Sequence, residues 1–124
     1  MIHLDTSFLI QALIPGTPQD RSLRKWIREG ESLAVSAIAW AEYRCGPLQH
    51  EELAVAEGFL GRCRDFTRDD AETAARLYNE SGRRRGSLAD CMIAAAALGD
   101  GAALATANVR DFRPLRDFGV TVAD

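Results

Sequence analysis

The stretch Met1-Ile2-His3-Leu4-Asp5-Thr6-Ser7, continued by Phe8-Leu9-Ile10-Gln11-Ala12-Leu13-Ile14 and closed by Pro15-Gly16, decides the fold. A short apolar strand stops at an acid and passes directly into a helix. In an open α/β sheet the carboxyl ends of the strands form the rim where ligands and catalytic groups gather. Asp5 is therefore the first candidate for chemistry. The same position also suits a helix cap, which Asp5 or Thr6 would supply.

Outward from that stretch, helical and strand patterns alternate to the end of the chain, with no repeat, low-complexity tract or linker. Asp20 to Glu29 places Leu23, Trp26 and Ile27 at helical spacing before Gly30. Ser32 to Val35 reads as the second strand, and Ser36 caps a helix over Ala37 to Cys45 that Gly46-Pro47 ends. A helix over Glu51 to Cys63 leads to a short strand near Asp65-Phe66, and Thr67 with Asp70 makes a capping box for a helix ending at Ser81-Gly82. After the basic loop Gly82 to Gly86, Ser87 opens an apolar helix that Gly99 stops. Ala102 to Ala105 is a buried strand, Thr106 to Phe118 a loop with at most one helical turn, and Val120 to Val122 a last strand. The sum is an α/β sandwich: a mostly parallel sheet of about five strands with helices on both faces.

Composition narrows the class. The 124 residues, 47% hydrophobic, suit a single domain over 1–124 that buries its own core. No apolar run is long enough to span a bilayer and no secretory signal is evident, so the expectation is a cytoplasmic protein that does not enter the membrane. Cys45, Cys63 and Cys91 form an odd set without CxxC spacing, which argues against a disulfide framework or a zinc site; all three read as small buried hydrophobes. The net charge of −3 does not favour nucleic acid, yet cations cluster at Arg83-Arg84-Arg85 and recur at Arg110, Arg113 and Arg116.

Four acids from separate segments, Asp5, Glu42, Asp90 and Asp111, with Asn108 an alternative to the last, are placed to meet above the sheet. Glu42 falls beside the apolar stripe Ile38, Ala41 and Cys45 of its helix, so a partly buried acid is expected there. Asp90 also fits a capping box with Ser87, and Asp111 also fits a turn. Oxygen ligands without histidine or thiolate suit magnesium or manganese. Such a cation would offset the repulsion among the acids and acidify a water for in-line attack on a phosphodiester. His3 shares strand parity with Asp5 but reads first as a packed or hydrogen-bonded residue, and His50 as a surface residue.

Leu4-Asp5-Thr6-Ser7, Ser36 to Gly46, Ala89 to Ala95 and Ala105 to Phe112 occur in that order, and together the chain resembles a PIN-domain ribonuclease of the VapC toxin type over essentially its whole length. The resemblance implies a PIN-like Rossmannoid α/β/α sandwich and a Mg2+- or Mn2+-dependent endoribonuclease. Asp5, Glu42 and Asp90 would be metal ligands and Asp111 a further catalytic acid, with Thr6, Ser7, Thr106 and Asn108 in support. It also implies a VapB-like antitoxin partner and a homodimer, with contacts on the helices Asp20 to Glu29 and Glu51 to Cys63. Arg83, Arg84, Arg85, Arg110 and Arg113, with Arg116, would hold the phosphates of an RNA substrate.

Other families fit less well. A phosphatase of the haloacid-dehalogenase kind would need a second Asp where Ser7 stands, and a phospho-receiver domain a late lysine, whereas Lys25 is the only lysine. The alternative is a degenerate PIN domain acting as a non-catalytic binding or regulatory module, to which Asn108 in place of a fourth acid points.

Overall fold

The computed structural model describes residues 1–46, 50–59, 62–83 and 88–123. Four short strands, β1 (Ile2–Leu4), β2 (Leu33–Ser36), β3 (Arg62–Arg64) and β4 (Ala103–Ala105), form one sheet in the order β3-β2-β1-β4. All three pairings are parallel. Their carboxyl ends therefore open on one rim, and Asp5, Ser36 and Thr106 arrive there from different segments. The last expected strand is reduced to a single parallel bridge, Leu104 to Val122, so the sheet has four strands and the remnant of a fifth.

Side chains alternate across the sheet and divide the core in two. Ile2, Leu4, Leu33 and Ala105 join Phe8, Leu9 and Ala12 of α1 (Thr6–Ala12) and Leu23 and Trp26 of α2 (Pro18–Arg28). The Phe8 and Trp26 rings stack at 5.4 Å between centroids, a contact worth about 0.5–1.5 kcal/mol beyond the area it buries. Leu104 belongs to the other cluster, with Ala74 and Leu77 of α5 (Arg68–Glu80) and the apolar α6 (Leu88–Gly99). The result is the expected α/β/α sandwich.

Local signals set most helix starts. Thr17 caps α2 and Pro18 stands at its first position. Ser36 accepts from the Ala39 N–H to cap α3 (Ala37–Arg44). Thr67 and Asp70 form the capping box of α5. The Ser87 cap, Pro47 and the cations Arg84 and Arg85 lie outside the described residues.

Several expectations are corrected. The helix placed over Glu51 to Cys63 is α4 (His50–Phe59), and residues 62–64 form β3, ahead of the expected Asp65-Phe66. Residues 62–64 pair with β2, and the guanidinium groups of Arg62 and Arg64 are held by carboxylates: both bond Asp100, far along the chain, and Arg64 also bonds Asp70. Cys63 on this edge strand and Cys45 beyond α3 are exposed; only Cys91 is buried. The buried face of α3 is Ala39 and Tyr43, while Ala41 and Cys45 of the expected stripe face solvent. The segment after Thr106 holds α7 (Val109–Phe112) and a six-residue 3-10 helix, Arg113–Phe118, pinned by buried Phe112 and Leu115.

His3 and Asp100 anchor this architecture. His3 is fully buried and its Nε2 stands 2.7 Å from Asp100 Oδ2. Burial lowers the His3 pKa against the pull of Asp100, which fits a neutral ring donating Nε2–H and leaving Nδ1 without a partner among the described residues. His3 thus serves the core rather than the rim.

Candidate active site

Asp5 ends β1 and caps α1. It is 4% exposed, and its Oδ1 accepts from the Phe8 N–H at 2.7 Å and from the Ser7 hydroxyl at 2.9 Å. The cap and the site candidate are the same carboxylate: the backbone turn that starts the helix also aims it at the rim. Burial raises its pKa above the usual aspartate range, hydrogen bonds from Thr106, Phe8 and Ser7 oppose this, and the nearby charge of Glu42 adds to the rise.

A crevice of about 200 Å³ opens over this residue, lined by Asp5, Thr6, Ser7, Glu42, Asp90, Ile93 and Asn108. It brings together the acid that follows β1 and one acid each from α3 and α6, and among the described residues no cation lines it. Glu42 is exposed rather than partly buried, because residue 42 falls on the solvent side of the Ala39/Tyr43 face. Its Oε1 accepts from the Thr6 hydroxyl at 2.8 Å. Asp90 sits half-buried on the first turn of α6. As placed, no three His, Cys, Asp or Glu side chains among the described residues stand close enough together to hold a metal ion.

At the β4 end of the crevice the wall is Asn108. Asp111 is exposed on α7, about one turn further on, and its N–H donates to the Asn108 carbonyl. Ser7 Oγ accepts from the Ala107 N–H at 3.1 Å, Thr106 Oγ1 accepts from the Asn108 N–H at 2.9 Å, and the two hydroxyls stand 3.4 Å apart. Arg110, Arg113 and Arg116 are exposed on the segment that follows. Arg83 is exposed, with its guanidinium over the Tyr78 ring, at the edge of the described loop.

Sequence reasoning did not anticipate the larger cavity next door. It measures about 320 Å³ and is walled by Ile10, Leu13, Ile14 and Tyr43, with Glu42 and Glu52 at its polar edge. It is lined mostly by apolar side chains, whereas the smaller crevice gathers the three acids; Glu42 lines both. Exposed Ile10 and Ile14 were the signal for it.

The donors suit a hard divalent cation. Three carboxylates share one crevice with no histidine, thiolate or cation on its wall among the described residues, and the pKa of the Asp5 carboxyl is already raised by its surroundings.

The family model that matches the chain is that of the PIN domain, over residues 2–116. No curated protein matches it in sequence. Among solved structures, VapBC2 from Rickettsia felis bound to a promoter DNA fragment superposes with a TM-score of 0.77 at 20% identity, over 99% of this chain and 98% of the other. DNA-bound VapBC from Salmonella typhimurium matches with a TM-score of 0.74 at 26% identity, over 99% and 96%. A toxin–antitoxin complex from Klebsiella pneumoniae matches with a TM-score of 0.70 at 26% identity, over 90% of each chain.

Proposed function

The chain belongs to the PIN domain family, and from that premise we propose that it is a divalent-cation-dependent endoribonuclease, the toxin of a toxin–antitoxin pair. The observation that carries the reading is the crevice itself, where Asp5, Glu42 and Asp90 meet at the carboxyl rim of a parallel sheet. Similarity to the VapBC and toxin–antitoxin complexes supports a VapB-like antitoxin as the partner.

Asp5, Glu42 and Asp90 are the residues that would hold Mg2+ or Mn2+, which supplies charge neutralisation at the phosphodiester and an acidified water. Asp5 provides the fixed point, because its cap and its hydrogen bonds leave it no other rotamer without loss. Thr6 keeps Glu42 at the mouth of the crevice. Asn108 closes the far wall with a neutral amide, so the fourth corner adds no charge. Arg110, Arg113 and Arg116, with the cluster beginning at Arg83, give an otherwise acidic chain cations to meet RNA phosphates. Exposed Ile10 on α1, Ile14 just after it, Ile27 on α2 and Val55 on α4 are the apolar surface offered to the antitoxin and to a second copy in a homodimer.

The test is cleavage of total cellular RNA by the purified chain, freed of antitoxin, in Mn2+, with EDTA and Asp90→Asn as controls and the new 5′ ends mapped. Discrete cuts lost in both controls are expected. Intact RNA would overturn the enzymatic reading in favour of a non-catalytic PIN module, which the neutral Asn108 and the open spacing of the acids also suit.

A further inference from the structure

The cavity of about 320 Å³ beside the crevice carries hydrogen-bonding groups on an otherwise apolar wall: Ile10, Leu13 and Ile14 face Tyr43, Glu42 and Glu52. Tyr43 is 2% exposed, and its hydroxyl has no partner among the described residues. Burial and the charge of Glu52 raise the pKa of that hydroxyl, so it keeps its proton and can donate. Glu52, exposed on the first turn of α4, offers a carboxylate that only accepts hydrogen bonds. Among the described residues no cation lines the cavity, and its two carboxylates would repel a phosphate. Of the parts of an RNA strand, a base is the one that suits it. Its volume lies at the lower end of the range for small-molecule sites, about 300–1,000 Å³. Unpaired bases are also the parts of RNA that proteins read, held by their faces and hydrogen-bonded along their edges.

We propose that this cavity receives an unpaired guanine of the RNA, its Watson–Crick edge turned to Glu52 and Tyr43. The inference rests on the nuclease reading of the neighbouring crevice. Guanine presents two adjacent N–H donors, at N1 and N2, beside one acceptor, O6. A carboxylate takes both donors, and the Tyr43 hydroxyl donates to the acceptor. Adenine, cytosine and uracil have no such pair of neighbouring donors, so each would set an acceptor against the carboxylate and leave buried polar groups unpaired. Ile10, Leu13 and Ile14 meet the faces of the ring. Glu42 lines both the cavity and the crevice, which sets the base beside the acids, so the bond that is cut adjoins this guanine. Exposed Ile10 and Ile14 also belong to the surface offered to the antitoxin, and an antitoxin seated there would shut the base out.

The experiment follows the Ile10 and Ile14 methyl signals of the metal-free full chain by NMR as guanosine, adenosine, cytidine or uridine is added. Wild type, Glu52→Gln and Tyr43→Phe are compared, and cleavage of a random-sequence RNA pool in Mn2+ is mapped alongside. Guanosine should shift both methyls at lower concentration than the other three nucleosides. Glu52→Gln should weaken guanosine about 5- to 150-fold, the range for one bidentate base contact. Tyr43→Phe should weaken it too while leaving the fold at least as stable, which separates binding from folding. Cuts should fall beside guanines in the wild type and lose that preference in Glu52→Gln. An equal response to all four nucleosides, or to none, would overturn the guanine site; cuts in Mn2+ would then leave the nuclease standing and assign the cavity to the antitoxin alone. Guanosine binding that depends on Glu52, in a chain that leaves RNA intact in Mn2+, would keep the guanine site and overturn the nuclease reading instead.

Discussion

Arg64 on β3 and Gly99 at the end of α6 are in such close approach that a Cβ added at residue 99 would stand 2.5 Å from Arg64 Nη2. The same Cβ would stand 3.1 Å from Asp70 Oδ1. The guanidinium cannot simply swing aside, because Nε bonds Asp100, Nη1 and Nη2 bond Asp70, and the side chain is 15% exposed.

Gly99→Ala should therefore destabilise the fold although alanine is the better helix former. The propensity gain is about 1 kcal/mol, and overpacking against a pinned side chain costs about 1–3 kcal/mol. Urea denaturation of the two proteins checks the sign; a more stable Ala variant would show that Arg64 is free to move.

Asp100 is the hub of the same cluster, and it makes the protein acid-labile. Burial works against its charge, but Arg62, Arg64 and His3 outweigh it and hold the carboxyl at about 2. A folded pKa below the unfolded value gives stability that is present above the ordinary carboxylate range and lost as pH falls toward 2. His3, also lowered, adds a loss that begins as pH drops through its ordinary value of 6.5. Asp100→Asn should cost about 1.5–3 kcal/mol at neutral pH and flatten the steeper acid limb. Stability measured from pH 7 to 2 in both proteins checks this, and parallel curves would refute the hub.

Asp5→Asn should separate stability from activity. At neutral pH the metal-free protein bears the cost of a carboxylate whose pKa burial has raised, so the amide should be at least as stable there. That difference should shrink as pH falls and the wild-type acid takes up its proton. Cleavage in Mn2+ should drop by at least about 10²-fold, the upper end of what outer-shell changes cost. Thermal melts alongside single-turnover cleavage test both halves; a wild-type rate would remove Asp5 from the mechanism.

Tyr43→Phe should raise stability. The Tyr43 hydroxyl is buried without a hydrogen-bond partner among the described residues, and an unpaired buried hydroxyl costs about 1–3 kcal/mol. The ring that packs against Trp40 at 5.5 Å is kept. A loss of stability on removing the oxygen would reveal a partner for it.

Much of this was legible in the residues. The acid at the strand-to-helix junction, the Ser36 cap, the Thr67 and Asp70 capping box and the alternation of strand and helix are local patterns, and local hydrogen bonding enforces them. The order of the motifs around Asp5, Glu42 and Asp90 also named the family. The strand expected near Asp65-Phe66 lies at Arg62–Arg64 instead, because Arg62-Cys63-Arg64 has little propensity of its own and its arginines are held by Asp70 and Asp100. The exposed sides of Glu42 and Cys45 were misjudged because helix phase alone does not say which face meets the sheet.

The sequence by itself determined where the chain turns from strand to helix and which acids follow the strands, since caps and periodicity act over a few residues. Only the tertiary structure decided that Ser7 serves Asp5 while Thr6 serves Glu42. It also put Asn108 rather than Asp111 on the crevice wall and joined His3 to Asp100. Those choices depend on contacts between residues up to a hundred positions apart, which form only when parallel strands bring their ends to a common rim.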